Sequence, residues 1–241
     1  MKRVVGRAGS VSNGGMSAYR NGFPWPIICK KSLMLAAKNT ERAANPENAS
    51  ARLRNHVRES IATKQRLLDE CEEAILRAVS VIAGSLSHGG KLLLCGNGGS
   101  AADCQHIAAE FVSVLTRDYP RLGLAAIALT TDSSILTAIA NDFGFEGVFE
   151  RQVQALARPG DVLIAISTSG NSANVIRALE YAQEHDIATI ALTGGSGGKM
   201  ARVCQTEIRV PSTVTMYIQE AHITVGHILC DLAERALASA G

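Results

Sequence analysis

From Leu53 onward, apolar residues recur at intervals of three and four: Leu53, Val57, Ile61, then Leu68, Cys71, Ile75, Val79, Ile82 and Leu86. This is the stripe of an amphipathic helix. Gly89-Gly90 ends it, so the spacing predicts one long helix or two in succession forming a helical hairpin. The stripe is longer than a small core requires, and part of it is expected to pack against a partner subunit. After Gly90 the pattern changes to short, wholly apolar runs alternating with helical segments. Leu92-Leu93-Leu94-Cys95, Ala125–Leu129, Val162–Ile166, Ala188–Leu192 and Glu207–Val210 read as strands. Helices are predicted over Ala101–Leu115, Ser133–Ala140, Val148–Leu156, from Ser172 to Glu184, and over Gln219–Ala238, with a break at Asn141-Asp142-Phe143-Gly144. Buried strands alternating with helices predict an α/β fold, a doubly wound parallel sheet covered on both faces.

Residues 1–50 show no such periodicity. Gly6–Met16 is rich in Gly and Ser, Phe23-Pro24-Trp25-Pro26 forbids regular helix, and no acid precedes Glu41. The first 66 residues hold 13 of the 24 Lys and Arg but only three of the 22 acids, so a net charge of +2 hides a basic arm on an acidic body. The expectation is a disordered basic extension over 1–50 and a single domain over 51–241. A targeting peptide and a start of translation at Met16 or Met34 are alternatives for the arm. Aromatic residues amount to 4%, which disfavours base stacking on nucleic acid. No run approaches the length of a membrane span. The six cysteines form no CxxC pair and lie within apolar or helical runs, as expected of buried thiols in a reducing compartment.

Two Gly/Ser-rich loops follow buried strands and open helices: Gly96-Asn97-Gly98-Gly99-Ser100 and Ser167-Thr168-Ser169-Gly170-Asn171-Ser172. In an open parallel sheet, ligands bind beyond the carboxyl ends of the strands, and free N–H groups at a helix start suit an anion. Neither loop is a P-loop or a dinucleotide fingerprint. A phosphate ester is one reading, and plain strand-to-helix turns with serine N-caps are the other.

His106 and Glu110 stand at i and i+4 on the helix after the first loop, and so share one face in an otherwise apolar setting. Such a pair can chelate a metal or serve as a tuned base, or it can be an exposed ion pair. On the last helix, Gln219 and His227 can face one cleft, whereas any single histidine there also fits a hydrogen-bonded place in the core. Asn141-Asp142 can bind sugar hydroxyls or make a turn.

Taken together, GNGGSAADCQHIAAEF (96–111), AIANDFGFE (138–146), GDVLIAISTSGNSANV (160–175), TGGSGGKMA (193–201) and YIQEAHITVGHILCDL (217–232) resemble the phosphoheptose isomerases, a family of the sugar isomerase (SIS) domain superfamily. The resemblance runs in order from about Leu53 to Glu234. It implies a flavodoxin-like sandwich and a cytoplasmic homotetramer with zinc in its site. The implied reaction is conversion of sedoheptulose 7-phosphate to D-glycero-D-manno-heptose 7-phosphate, a step of heptose biosynthesis toward lipopolysaccharide. It implies catalysis by Glu110 and His227, and metal ligation by His106, Glu110, Gln219 and His227. The implied substrate contacts are Asn97, Gly98, Gly99, Glu110, Asn141, Asp142, Ser167, Thr168, Ser169, Ser172 and Gln219. Val114, and Tyr217 after Met216, stand where the family commonly has arginine, which bears on substrate identity more than on reaction type. Two other readings are a non-catalytic SIS protein of the type that associates with the replication initiator and an isomerase of another phosphosugar. The first lacks the glutamate and the last-helix histidine that are present here as Glu110 and His227.

Overall fold

The computed structural model describes residues 46–117 and 121–238. Most of the expected N-terminal arm therefore lies outside the described residues. By its contacts the chain divides after Arg52. Of the first unit, the described residues are helical, and helix begins at Pro46, inside the segment expected to be disordered.

The expected hairpin is one uninterrupted helix, α1, Pro46–Ser87. The stripe read from the sequence is also only half right. Leu53 is 65% exposed and Leu68 58%, while Val57 and Ile61 face outward as well. The inward face runs instead through Ser60, Thr63, Leu67, Cys71, Ile75, Ala78 and Ile82, all buried and spaced at threes and fours. Ser60, the first of these, is polar because a carboxylate lies opposite. Glu220 accepts from the Ser60 hydroxyl and lies 2.8 Å from His56 Nε2. These bonds, Ser60 foremost, hold the Glu220 carboxyl below its usual range. Burying an apolar stripe over that anion would leave it unpaired, so apolar periodicity alone pointed to the wrong side of the helix.

The body then alternates strand and helix: β1 Leu92–Gly96, α2 Gly99–Val112, β2 Ala126–Ala128, α3 Ser133–Phe143, α4 Glu150–Leu156, β3 Val162–Ile166, α5 Ala173–Glu184, β4 Ala188–Gly194, β5 Thr206–Val210 and α6 Thr215–Ala238. The strands form one parallel sheet in the order β2-β1-β3-β4-β5, with Leu94 opposite both Ala128 and Ile164, and Ile164 opposite Ile190. Side chains alternate between its faces. Leu92, Leu94, Ile164, Ile166, Ile190 and Leu192 meet α1, α2 and α6, while Leu93, Cys95, Leu163, Ala165 and Ala191 meet α4 and α5. Each fully buried Leu, Ile or Phe contributes about 1.5–3 kcal/mol, so the two apolar layers dominate the fold.

Two smaller expectations change. The helix over 133–140 continues through Asn141, Asp142 and Phe143, because Asp132 caps its start (Ile135 N to Oδ1, 2.9 Å) and only Gly144, at φ 80°, stops it. Between α3 and α4, residues 145–147 form a single 3₁₀ turn, and α4 begins two residues later than predicted.

His222 takes the place of a core histidine: it is fully buried, with Nε2 3.0 Å from the Thr193 carbonyl. Burial pushes its pKa down to about 4, and the carbonyl opposes that shift only in part. The unfolded chain, with a histidine near 6.5, then binds more protons than the folded one between pH 6.5 and 4. Stability from His222 is complete above that window and falls as pH drops through it, by an amount on the order of 3 kcal/mol. Urea midpoints at pH 7.5 and 4.5 are expected to differ less in His222→Gln than in the wild type.

Candidate active site

Strand order reverses between β1 and β3: the chain leaves β1 for β2 on one side and β3 for β4 on the other. The crevice of a doubly wound sheet opens at that point, and both Gly/Ser loops lie there. Asn97 of the first loop and Asn174 at the start of α5 exchange amide hydrogen bonds of 2.9 Å in both directions. Asn97 is therefore engaged in fixing the two loops to one another.

The serines do not serve as helix caps. Helix α2 begins at Gly99, so Ser100 is buried within its first turn. Ser172 is the N-cap residue of α5, yet its hydroxyl makes no cap bond and lies 3.0 Å from Ser167 Oγ. Local helix capping therefore does not explain this hydroxyl-rich loop. Asn171 ties the loop down, donating its side-chain amide to Ser169 O (2.8 Å) and accepting from Lys199 N (3.2 Å). Beside it lies a cavity of about 230 Å³ bounded by Thr168, Ser169, Gly195, Ser196, Thr213 and Thr215 among others, with no basic side chain in its wall. Hydroxyls and backbone N–H groups are what it offers an anion.

The second half of the site comes from α2 and α6. These helices cross closely because residue 226 is glycine: a Cβ there would lie 2.6 Å from Ile107 Cδ1. One residue away from each member of that contact, His106 and His227 meet, with Nε2 atoms 3.0 Å apart and rings edge to face. Glu110 Oε1 lies 3.3 Å from His106 Nε2. The ligand atoms of these three residues all fall within 4.8 Å of one another. Two imidazole nitrogens so placed can share only one proton between them, whereas a divalent cation satisfies both lone pairs and the carboxylate. Two imidazoles and one carboxylate suit a borderline metal, so the residues fit a metal ion.

Gln219 lies one turn into α6 with its amide against Gly99, where any Cβ would collide with it. That contact places the amide at the N-terminus of the helix that carries His106 and Glu110. Asn141 and Asp142 are exposed on the last turn of α3, the Asn141 amide donating to Asp142 at 2.8 Å. Their bond is to one another and not to the cluster. Tyr217 is buried with its ring 5.1 Å from that of His56, and Val114 is half-buried just beyond α2.

Sequence reasoning missed Asp103. It stands one turn before His106, with a buried Oδ2 that has no hydrogen-bond partner. Burial raises its pKa and the nearby His106 opposes the rise. Its i, i+3 spacing to His106 was the available signal.

The SIS domain model matches residues 55–194, from the third turn of α1 to the end of β4, so the fold and crevice are those of a SIS domain. Over 172 residues the chain is 56% identical to the phosphoheptose isomerase of Rhodospirillum rubrum, covering 71% of this chain and 90% of that one. Among solved structures, the phosphoheptose isomerase of Neisseria gonorrhoeae superposes with a TM-score of 0.73 at 47% identity, covering 78% of this chain and 99% of that one. That of Francisella tularensis gives 0.74 at 36% identity, covering 78% and 98%. The chain belongs to the phosphoheptose isomerase family of phosphosugar isomerases.

Proposed function

We propose that the body of this chain, residues 51–241, interconverts sedoheptulose 7-phosphate and D-glycero-D-manno-heptose 7-phosphate. The observation that carries the reading is the meeting of Glu110, His106 and His227 beside hydroxyl-rich loops not used for capping. The loops (Ser167, Thr168, Ser169 and Ser172, with Asn97, Gly98 and Gly99) receive the phosphate through hydroxyls and backbone N–H groups. Gln219, Asn141 and Asp142 receive sugar hydroxyls. Aldose–ketose isomerisation moves one proton between adjacent carbons through an enediolate. Glu110 takes the proton from the carbon beside the carbonyl and returns it to the neighbouring carbon, while His227 moves the compensating proton between the two oxygens. His106, Glu110, His227 and Gln219 are the residues that would hold zinc, which when bound supplies polarisation of the substrate oxygens. Retention of both Glu110 and His227 favours an enzyme over a non-catalytic SIS protein. Tyr217 and Val114, in place of two cations, keep another phosphosugar as the outcome to be tested against.

The long apolar strip of Leu53, Val57, Ile61 and Leu68 on α1 supports assembly into a homotetramer. Among the described residues no helix is long and apolar enough to cross a membrane, which agrees with a cytoplasmic enzyme.

Four experiments test this reading. A coupled assay with sedoheptulose 7-phosphate, and NMR of solvent deuterium entering the carbon beside the carbonyl, should show turnover and exchange in the wild type. Glu110→Gln should abolish both, His227→Gln should slow turnover about 10²–10⁴-fold, and Ser169→Ala should first raise KM. Exchange at the wild-type rate in Glu110→Gln would remove that residue as the base. Metal-stripped protein should take up one zinc per chain in a chelator competition, with affinity at least about tenfold weaker in His106→Ala. Sedimentation at micromolar concentration should show a tetramer, and a monomer alone would refute the assembly.

A further inference from the structure

Arg121 lies outside the cluster, on the segment that follows α2, and its guanidinium is committed to the end of that helix. Nη2 donates to the carbonyl of Glu110 at 2.8 Å, and Nη1 donates to Phe111 O at 2.8 Å and Ser113 O at 3.2 Å. Nη2 also pairs with the carboxylate of Glu234 on α6. The pair is buried, with side chains 12% and 3% exposed. The last carbonyls of a helix lack partners within it, and a cation there also complements the helix dipole. A planar guanidinium fork can serve several carbonyls and a carboxylate at once, which an ammonium cannot match in geometry.

We propose that Arg121 is a positioning residue for the isomerisation, holding the turn that carries Glu110 at a fixed height and rotation against α6. The bond falls on the main chain of Glu110 itself, so it sets the direction in which that side chain leaves the helix. Its other end, Glu234, lies seven residues beyond His227, two turns along the same face of α6. Arg121 thus joins the helix of one proton carrier to the helix of the other. Burial pushes the thiol of Cys230, on α6, up to about 12, and the Glu110 and Glu234 carboxylates both add to the rise. The apolar α2–α6 contact alone would let the helices slide or turn slightly, and a displacement near 1 Å at a reacting group costs on the order of 10²-fold in rate.

This inference rests on the isomerase reading, and its test separates the two. Arg121→Met alone leaves Glu234 buried without a partner and is expected to destabilise the protein strongly. The informative variant is Arg121→Met/Glu234→Leu, which removes both charges and keeps an apolar filling. It is expected to fold, with kcat for sedoheptulose 7-phosphate falling on the order of 10²-fold and KM staying within about twofold. Amide hydrogen exchange over the last turn of α2, residues 110–113, is expected to quicken by about tenfold or more relative to the wild type as that turn opens locally. Arg121→Lys, in the presence of Glu234, should recover part of kcat. A folded double variant with wild-type kcat, or a rise in KM matching the fall in kcat, would overturn the proposal. So would unchanged exchange at residues 110–113. A wild type that fails to isomerise the sugar would refute the isomerase reading, while the exchange measurement would still decide whether Arg121 holds the turn.

Discussion

The crossing of α2 and α6 is the constraint on which the site depends. A glycine at 226 lets the two helices approach to the distance of an isoleucine side chain, and the residues next to that contact are the two histidines. The approach is driven by burial of Ile107, Phe111, Val225 and Leu229, none of which carries any chemistry. An apolar interface of several kcal/mol therefore holds in place a polar cluster that could not assemble by its own attraction, since exposed charged pairs contribute little. The His106–Glu110–His227 cluster sits beside a contact that would form without it.

The hydroxyl-lined side of the crevice follows a different logic. Its cavity has hydroxyls and amides but no basic side chain in its wall. Neutral donors fixed by neighbouring loops can receive an anion without drawing in the acids of a body that is itself negatively charged. Anchoring by Asn97–Asn174 and Asn171–Lys199 meets the entropic cost of ordering these loops before any ligand arrives.

Much of this was legible in the sequence. The central strands were readable because they are buried on both faces and so consist of uninterrupted apolar runs; Val162–Ile166 matches its predicted bounds. His106 and Glu110 were readable because i, i+4 spacing fixes a shared face on any helix. Their meeting with His227 came only through the family resemblance, since nothing in the local pattern of α6 tells which helix it will cross. The face of α1 was misread for a related reason: Ser60 turns inward to meet Glu220, a residue 160 positions away in the chain. Arg121 gave no signal at all, because capping of one helix by a residue from a later loop leaves no periodic trace.

Helix α1 offers its own sheet one face and leaves an apolar strip of Leu53, Val57, Ile61 and Leu68 on the other. In the tetramer proposed above a further copy covers that strip, and a helix used on both sides would tie folding to concentration. Whatever covers the strip binds the folded chain and not the unfolded one, so it adds stability by mass action, about 2.7 kcal/mol at a hundredfold excess over its dissociation constant. Dilution of such an assembly would withdraw that increment. In the proposed tetramer the melting temperature is therefore a function of how much protein is in the tube.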